Sequence, residues 1–448
     1  MSNGGILQLA AIGNQDYFLT SNPQLSFLKK AYKRHTNFAI QSLQIPLDEN
    51  IGSNNDRFNK EVRTIIPRKG NLLHRLYLTI DLQCKNNGVT SYTVNNFINS
   101  LIKNASIKIG GRTIDEYQSQ YKQLKSELLT TTENKYNESD ATYGGKSALY
   151  EFDGRVGNQI GDTYERLKGN IPIVVGSNTI VTKKFTYAFD FWFTRNIGQS
   201  LPLDALNNHD IELIFKIETK ENVIGDNVNI NSDDFKLKKL ELFGDYIFID
   251  GEEKRRFAQS THEYLIEQVQ YAGSLRTSEG SSSSYLLNQK NYNLTFLHPV
   301  KYLIWGIANP GTAGSNKGQG PNYFTAQTTN SLTGNDAHVG SLYLRINGAF
   351  RMPEDNPIMN YTRTYPHMYL NHIPPLDTVG FFSFALNPFE EEPSGTCNFS
   401  RITTDKSLIT KFANNNVETI KDKELFIFAV NYNVFRIASG MGGVLFSS

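Results

Sequence analysis

Cysteine is nearly missing from this chain: Cys84 and Cys397 are the only two in 448 residues. They lie far apart, which excludes a disulfide-dense secreted scaffold and fits a reducing compartment. Each reads as a small buried hydrophobe rather than a reactive thiol. An excess of one charge is missing too. Lys and Arg total 45 and Asp and Glu 44, so no global basic field points to nucleic acid. Long apolar runs are absent: a membrane span needs roughly 20 apolar residues, and no stretch supplies them. The run Ile6 to Ile12 is broken by Gln8, and no Lys or Arg precedes it. A secretory signal needs a basic start and a longer apolar core. Ser2 stands where N-myristoylation requires Gly. These features predict a retained N-terminus and a soluble protein.

Helical patterning is also scarce. "QLSFLKKAYKRH", Gln24 to His35, gives the best helix. Leu25, Leu28 and Tyr32 form one stripe, Lys29, Lys30, Lys33 and Arg34 cover the rest, and Pro23 sits near the start, where its missing N–H costs little. "DEYQSQYKQLKSELL", Asp115 to Leu129, is a weaker candidate.

What the chain has is aromatics, 28 Phe and 23 Tyr, and alternation of period two, the mark of half-buried strands. "FTYAFDFWF" puts Phe185, Tyr187, Phe189, Phe191 and Phe193 on one face and Ala188, Asp190 and Trp192 on the other. "LYLTIDL" alternates Leu76, Leu78, Ile80 and Leu82 with Tyr77, Thr79 and Asp81. "SIKIGG" ends at Gly110-Gly111 and "SLYLRING" at Asn347-Gly348, the residues a tight hairpin needs because both central positions take positive φ. "ELFIFAV", Glu424 to Val430, is continuously apolar and reads as a strand covered on both faces. The chain is therefore expected to be all-β with decorations.

Two halves carry similar text. "IKIGGR" (Ile107 to Arg112) resembles "LRINGA" (Leu344 to Ala349), and "LFGDYIFID" resembles "FAVNYNVFRI" around Tyr246 and Tyr432. Both tyrosine segments read as the last strand of a half. The first half is longer between its matched points, and the polar stretch Thr130 to Asn170 supplies the difference; the second half has its own insert, Asn309 to Asn322. Halves of this size, with short strands and long loops, suit eight-stranded jelly rolls. The charged segment Gly251 to Tyr264 reads as their connection, giving an N-terminal segment 1–39, a first sandwich 40–252 and a second 253–448.

Four segments carry a resemblance: the opening Gly4 to Ala39, "HEYLIEQVQ" (His262 to Gln270), "PSGTCNFSRI" (Pro393 to Ile402) and "NYNVFRIASGMGG" (Asn431 to Gly443). Together they resemble the major capsid protein of the nucleocytoplasmic large DNA viruses, such as phycodnaviruses and iridoviruses. The resemblance implies two tandem jelly rolls per chain and a homotrimeric capsomer of hexagonal outline. Neighbouring capsomers would tile an icosahedral shell in the virion, assembled in the host cytoplasm. It places the N-terminal segment at the inner side of that shell, near minor capsid proteins and an internal viral membrane, with no specific nucleic acid as partner. Lys29, Lys30, Lys33 and Arg34 would there meet acidic groups or lipid headgroups; a plainly solvated face accounts for them equally well. Thr130 to Asn170 and Asn309 to Ala337 match nothing in the family and are expected on the outer surface, as exposed variable loops are.

Catalysis finds no support in the residues. "HEYLIEQ" opens like a zinc-protease motif, but Ile266 stands where the second His belongs. His367 and His372 lie beside Pro366 and Pro374 in a stretch not expected to be helical. Glu390 to Glu392 would offer carboxylates to a cation, though a solvated loop explains them as well. No nucleophile elbow or P-loop occurs, and Ser278 to Ser284 is low-complexity loop. No catalytic, metal or cofactor residue is therefore expected. Of five N-x-S/T sequons, at Asn104, Asn137, Asn293, Asn360 and Asn398, Asn137 has the most loop-like context and is the first candidate for glycosylation. Two rival readings remain at this stage. One is a carbohydrate-binding or glycoside-cleaving β-sandwich, which needs carboxylates about 5 to 10 Å apart in a cleft. The other is a single jelly-roll minor virion protein, which would not use the second set of strands.

Overall fold

The structure, a computed structural model, describes residues 4–30, 32–47, 57–85, 91–92, 97–129, 172–173, 180–223, 235–276, 289–308, 339–351, 360–370, 379–402, 406–412 and 424–446. The chain divides into two units, Met1–Phe38 and Ala39–Ser448. The first holds two short helices, α1 (Gly4–Ala10) and α2 (Asp16–Thr20). The helix expected over Gln24 to His35 is not there: its described residues form turns and irregular chain. Leu25, Leu28 and Tyr32 are 65%, 99% and 82% exposed, so the apolar stripe is not packed against the described residues. A helix this short is marginal in water without such packing.

The second unit is built almost wholly of antiparallel strands. The first half holds β1 (Phe38–Ile45), β2 (Glu61–Ile65), β3 (Leu72–Lys85), β4 (Ser91–Tyr92), β5 (Ile102–Ile109), β6 (Arg112–Gln118), β7 (Pro172–Ile173), β8 (Ile180–Ala188), β9 (Leu201–Pro202), β10 (Ile211–Ile217) and β11 (Phe235–Ile249). The second holds β12 (His262–Arg276), β13 (Gln289–Asn293), β14 (Pro299–Ala308), β15 (Val339–Ile346), β16 (Ala349–Phe350), β17 (Val379–Ser383), β18 (Cys397–Asn398), β19 (Lys406–Phe412), β20 (Glu424–Ala438) and β21 (Met441–Val444).

The sheet orders of the halves are the same. In the first, β1-β11-β3-β8 faces β2-β10-β5-β6; in the second, β12-β20-β14-β17 faces β13-β19-β15-β16. Each half is an eight-stranded jelly roll in which the first strand pairs with the last. The hairpin β5–β6 therefore corresponds to β15–β16. Gly110 and Gly111 turn the first with φ of 57° and 79°, and Asn347 and Gly348 turn the second with φ of 53° and 77°. Tyr246 lies in β11 and Tyr432 in β20, the equivalent last strands. Tyr246 is buried and its hydroxyl donates to Pro67 O at 2.8 Å.

Alternation fixes the cores. Leu76, Leu78, Ile80 and Leu82 of β3 are buried while Tyr77, Thr79 and Asp81 are half-buried on the outer face. "ELFIFAV" is apolar throughout because β20 is central and covered twice. Leu425, Ile427 and Ala429 point into the second sandwich's own core with Leu303 and Trp305. Phe426, Phe428 and Val430 point the other way, into the large core that also holds the first sandwich. One apolar layer thus continues across the joint.

The aromatic segment departs from expectation. β8 stops at Ala188, and Trp192–Arg195 forms a helical turn. Phe189, Phe191 and Phe193 still stack in series, with centroids 5.9 Å apart at each step, while Trp192 is also buried. Asp115 to Leu129 is likewise divided. Asp115 to Gln118 completes β6, and the longer helix of this half, Ser119–Leu129, follows it. The connection at Gly251 is a helix, Gly251–Gln259. Asp250 caps it by accepting from Gly251 N, and Glu252 and Glu253 in the first turn and Arg256 in the last suit the helix dipole.

The packing of β14 on β17 generates a prediction. Gly380 pairs with Trp305, and a Cβ at 380 would lie 2.3 Å from the buried indole. Gly380→Ala is expected to cost about 1–3 kcal/mol or more by overpacking, measured as a lower urea midpoint. An unchanged midpoint would refute this packing.

Candidate functional site at the joint of the two sandwiches

Lone charges inside apolar strands need partners, because burial of an unpaired ion is expensive. Asp190 follows Phe189, Glu267 interrupts "YLIEQVQ", and Lys301 interrupts "PVKYLIWGIA". The fold brings them together where the sandwiches meet. Lys125 Nζ and Asp190 Oδ2 are 2.5 Å apart, and Arg195 Nε donates to Asp190 Oδ1 at 3.2 Å. Arg195 Nη1 reaches Glu267 Oε2 at 2.5 Å, and Lys301 Nζ reaches Glu267 Oε1 at 2.5 Å. Lys301, 1% exposed, also donates to Glu390 O at 2.8 Å. Arg195 thus ties a carboxylate of the first sandwich to one of the second.

Aromatic packing surrounds this chain of ion pairs. Trp192 meets Tyr264 and Phe435 with centroids 5.9 and 5.4 Å away, and Tyr121 meets Phe428 at 5.7 Å. Gln268 of β12 donates to Ile114 O of β6, joining an edge of each sandwich. At the lower ends Asn208 Nδ2 donates to Ser439 O at 3.0 Å, and His209 Nδ1 accepts from Gly442 N at 3.2 Å.

A cleft of about 240 Å³ opens at the joint, with Trp192, Arg195, Glu267, Tyr302, Phe389 and Tyr432 among its walls. Its chemistry is that of a fastener. Burial alone would raise the Asp190 carboxyl, but Lys125 and Arg195 outweigh it and hold it well below the usual carboxylate range. Asp190 is then no proton donor, and Glu267 is occupied by two cations, so these two do not form the carboxylate pair of a glycosidase. Beneath the joint Asp115 is buried. Its Oδ2 accepts from Trp192 N at 3.1 Å, its Oδ1 accepts nothing among the described residues, and burial pushes its carboxyl up to about 7.

The residues singled out from the sequence lie elsewhere. Lys29, Lys30, Lys33 and Arg34 are exposed on irregular chain in the Met1–Phe38 unit and do not share a helix face. Asn137 lies outside the described residues. Asn293 and Asn398 are exposed, while Asn104 and Asn360 are half-buried. His262 starts strand β12, and its Nε2 lies 2.7 Å from Phe257 O. His367 is on a helix after all, Tyr365–Leu370, with Pro366 in the first turn where no intrahelical N–H is required; His372 is outside the described residues. Glu390 and Glu391 rim the cleft, accepting from Asn387 and Asn196 side chains. Among the described residues no cluster of three or more His, Cys, Asp or Glu has the geometry to hold a metal. The joint residues themselves were not picked out from the sequence, although a single charge in an apolar strand was the available signal.

Two outcomes are expected. Lys301→Met leaves Glu267 without one of its two cations in a buried site and should cost about 3–5 kcal/mol in urea unfolding; a loss below 1 kcal/mol would remove the fastener role. For Asp115 the folded carboxyl titrates above the unfolded one, so stability present in acid is lost as pH rises from about 4 to about 7. Asp115→Asn should therefore gain melting temperature relative to the parent between pH 4 and pH 8. A gap independent of pH would contradict the assignment.

The family described as "Large eukaryotic DNA virus major capsid protein" matches residues 253–443, and "Major capsid protein N-terminus" matches residues 26–250. The chain is 32% identical to the major capsid protein of Pyramimonas orientalis virus, over 99% of this chain and 100% of that one. It is 31% identical to the major capsid protein of Paramecium bursaria Chlorella virus 1, with the same coverage. A quasi-atomic model of the PBCV-1 virus capsid superposes with a TM-score of 0.69 at 27% identity, covering 94% of this chain and 100% of that chain. These relatives are structural proteins, not enzymes. Doubled in its jelly roll and matched over both halves, the chain belongs to the major capsid protein family of the large eukaryotic DNA viruses.

Proposed function

We propose that this chain forms a homotrimeric capsomer of pseudo-hexagonal outline, and that neighbouring capsomers tile the icosahedral shell of a double-stranded DNA virus. The observation that carries the reading is the repetition of one strand order in two sandwiches fastened side by side. Three such chains supply six similar modules around one axis, and a hexagonal outline tiles a flat lattice. The boundary between Glu252 and Glu253 belongs to this reading, as does assembly in the host cytoplasm.

Topology supports an orientation. Successive strands of a jelly roll run up and down, so the β5–β6 hairpin, the β9–β10 turn and the end of β11 share one end. The equivalent β15–β16 hairpin and β20–β21 turn share the corresponding end of the second sandwich, and the Asn208–Ser439 contact puts these two ends together. The strand ends that bracket residues 130–170 and 309–337 lie at the opposite end. Those loops are read as the outer surface and the β1 start as the inner side. The Met1–Phe38 unit carries exposed Ile6, Leu7, Leu9, Phe27 and Leu28 beside Lys29, Lys30, Lys33 and Arg34. Such a surface suits minor capsid proteins and anionic lipid headgroups of an internal membrane.

The mass of the purified protein tests the assembly. A stable species near three times the 50.6 kDa chain is expected by light scattering, and a chain that stays monomeric at high concentration would overturn the reading.

A further inference from the structure

The cleft at the joint is built from both sandwiches: Trp192 and Arg195 come from the first, Leu265, Tyr302 and Phe389 from the second. Its volume of about 240 Å³ falls below the roughly 300–1,000 Å³ of pockets for drug-sized molecules, which limits an occupant to about one ring. Part of the lining is apolar. Tyr302 and Phe389 meet with centroids 5.4 Å apart, and Leu265, 39% exposed, marks the open side. The rest carries charge and donors. Lys125, Arg195 and Lys301 share only Asp190 and Glu267, which leaves one positive charge over. Glu390 and Glu391 stand at the rim, but both are exposed and held by Asn387 and Asn196 side chains, so solvent screens them. Two N–H groups of the lining residues are also unmet. Arg195 Nη2 and Trp192 Nε1 are buried and find no acceptor among the described residues, and Trp192 is only 1% exposed. Buried donors without acceptors are rare in native structures, and here two of them belong to the walls of one cleft.

We propose that this cleft binds a small monocarboxylate with a single aromatic ring, its carboxylate on Arg195 and Lys125 and its ring against Tyr302 and Phe389. The carboxylate supplies an acceptor for Arg195 Nη2, and hydrogen bonds between ionised groups are the stronger ones. It also offsets the surplus cation. A phosphate would meet the charge but not the apolar lining; a hydrocarbon would meet the lining but leave the donors unmet. The loop that follows β17 carries Phe389 and is tied down twice. Leu386 N donates to Ser394 O at 3.2 Å, and Lys301 Nζ donates to Glu390 O at 2.8 Å. The walls are therefore largely formed before a ligand arrives, as in most small-molecule sites. Because the contacts come from both sandwiches, the ligand adds a link across the joint. It binds only the form in which the sandwiches are packed together, and so stabilises that form.

Benzoate is the probe, and the full chain serves whatever its oligomeric state. Melting curves are compared at equal ionic strength in sodium benzoate, in sodium chloride and in sodium chloride with neutral benzamide. Benzoate is expected to raise the melting temperature saturably, by about 3 °C near full occupancy, while benzamide adds nothing to the chloride value. Fluorine NMR with 4-fluorobenzoate should show one saturable site per chain with a Kd of about 1 mM or tighter. Leu265→Trp fills the cleft from its open side without removing an ion pair. It should melt close to the parent in chloride and lose both the benzoate response and the saturable NMR binding; Leu265→Phe replaces it if it does not fold, with a weaker Kd as the expected result. Equal effects of benzoate and chloride, or no saturable binding, overturn the site. Equal effects of benzoate and benzamide overturn the recognition of the carboxylate. A benzoate response that persists unchanged in a folded Leu265 variant overturns the assignment to this cleft.

Discussion

The sheet β12-β20-β14-β17 is apolar on both faces, and the rest of the molecule follows from that constraint. An antiparallel sheet of a sandwich normally turns one face to water. Here the second face carries Phe426, Phe428 and Val430 and is covered largely by the first sandwich, with Phe389 and Tyr369 of the second sandwich packed at its β17 side. Burying such side chains contributes roughly 1.5–3 kcal/mol each, so the two sandwiches do not behave as beads on a string. They share a core, and the helix Gly251–Gln259 connects bodies that packing already holds.

The ion pairs at the joint act within that frame. Buried charges add little net stability compared with apolar residues of the same size, because desolvation offsets their attraction. What they supply is position. Asp190 and Glu267 must both find Arg195, and Lys301 must find Glu267. A sliding of one sandwich on the other by one residue along β12 would leave these charges buried and unpaired. The apolar layer holds the sandwiches together, and the charges select one register.

Much of the fold was legible because strands are written locally. Alternation in "LYLTIDL", paired glycines after "SIKI" and Asn-Gly after "SLYLRI" each carry their structure within a few residues, and the likeness of the halves marked equivalent strands. Where the reading failed, the deciding partner was distant. Leu25, Leu28 and Tyr32 have helical spacing, but spacing does not say whether a surface exists to receive the stripe. Alternation continues through Phe193 although the backbone turns after Ala188, because stacked rings keep the pattern that the strand began. Asp190, Glu267 and Lys301 were each visible as a charge in apolar text. That they meet through Arg195 depends on two sandwiches coming together, which periodicity within one strand does not record.

Jelly-roll connectivity also separates what can vary from what must be kept. Between the corresponding strands β6 and β8, and β16 and β17, the first sandwich spends residues 119–179 and the second only 351–378. Doubling the length of a loop costs only about 0.6 kcal/mol in closure entropy. Since these long connections leave from one end and the joint hairpins from the other, length can be gained or lost there without moving a residue of the shared core. The fold thus separates a pole at which chain length is free from a flank at which it is fixed.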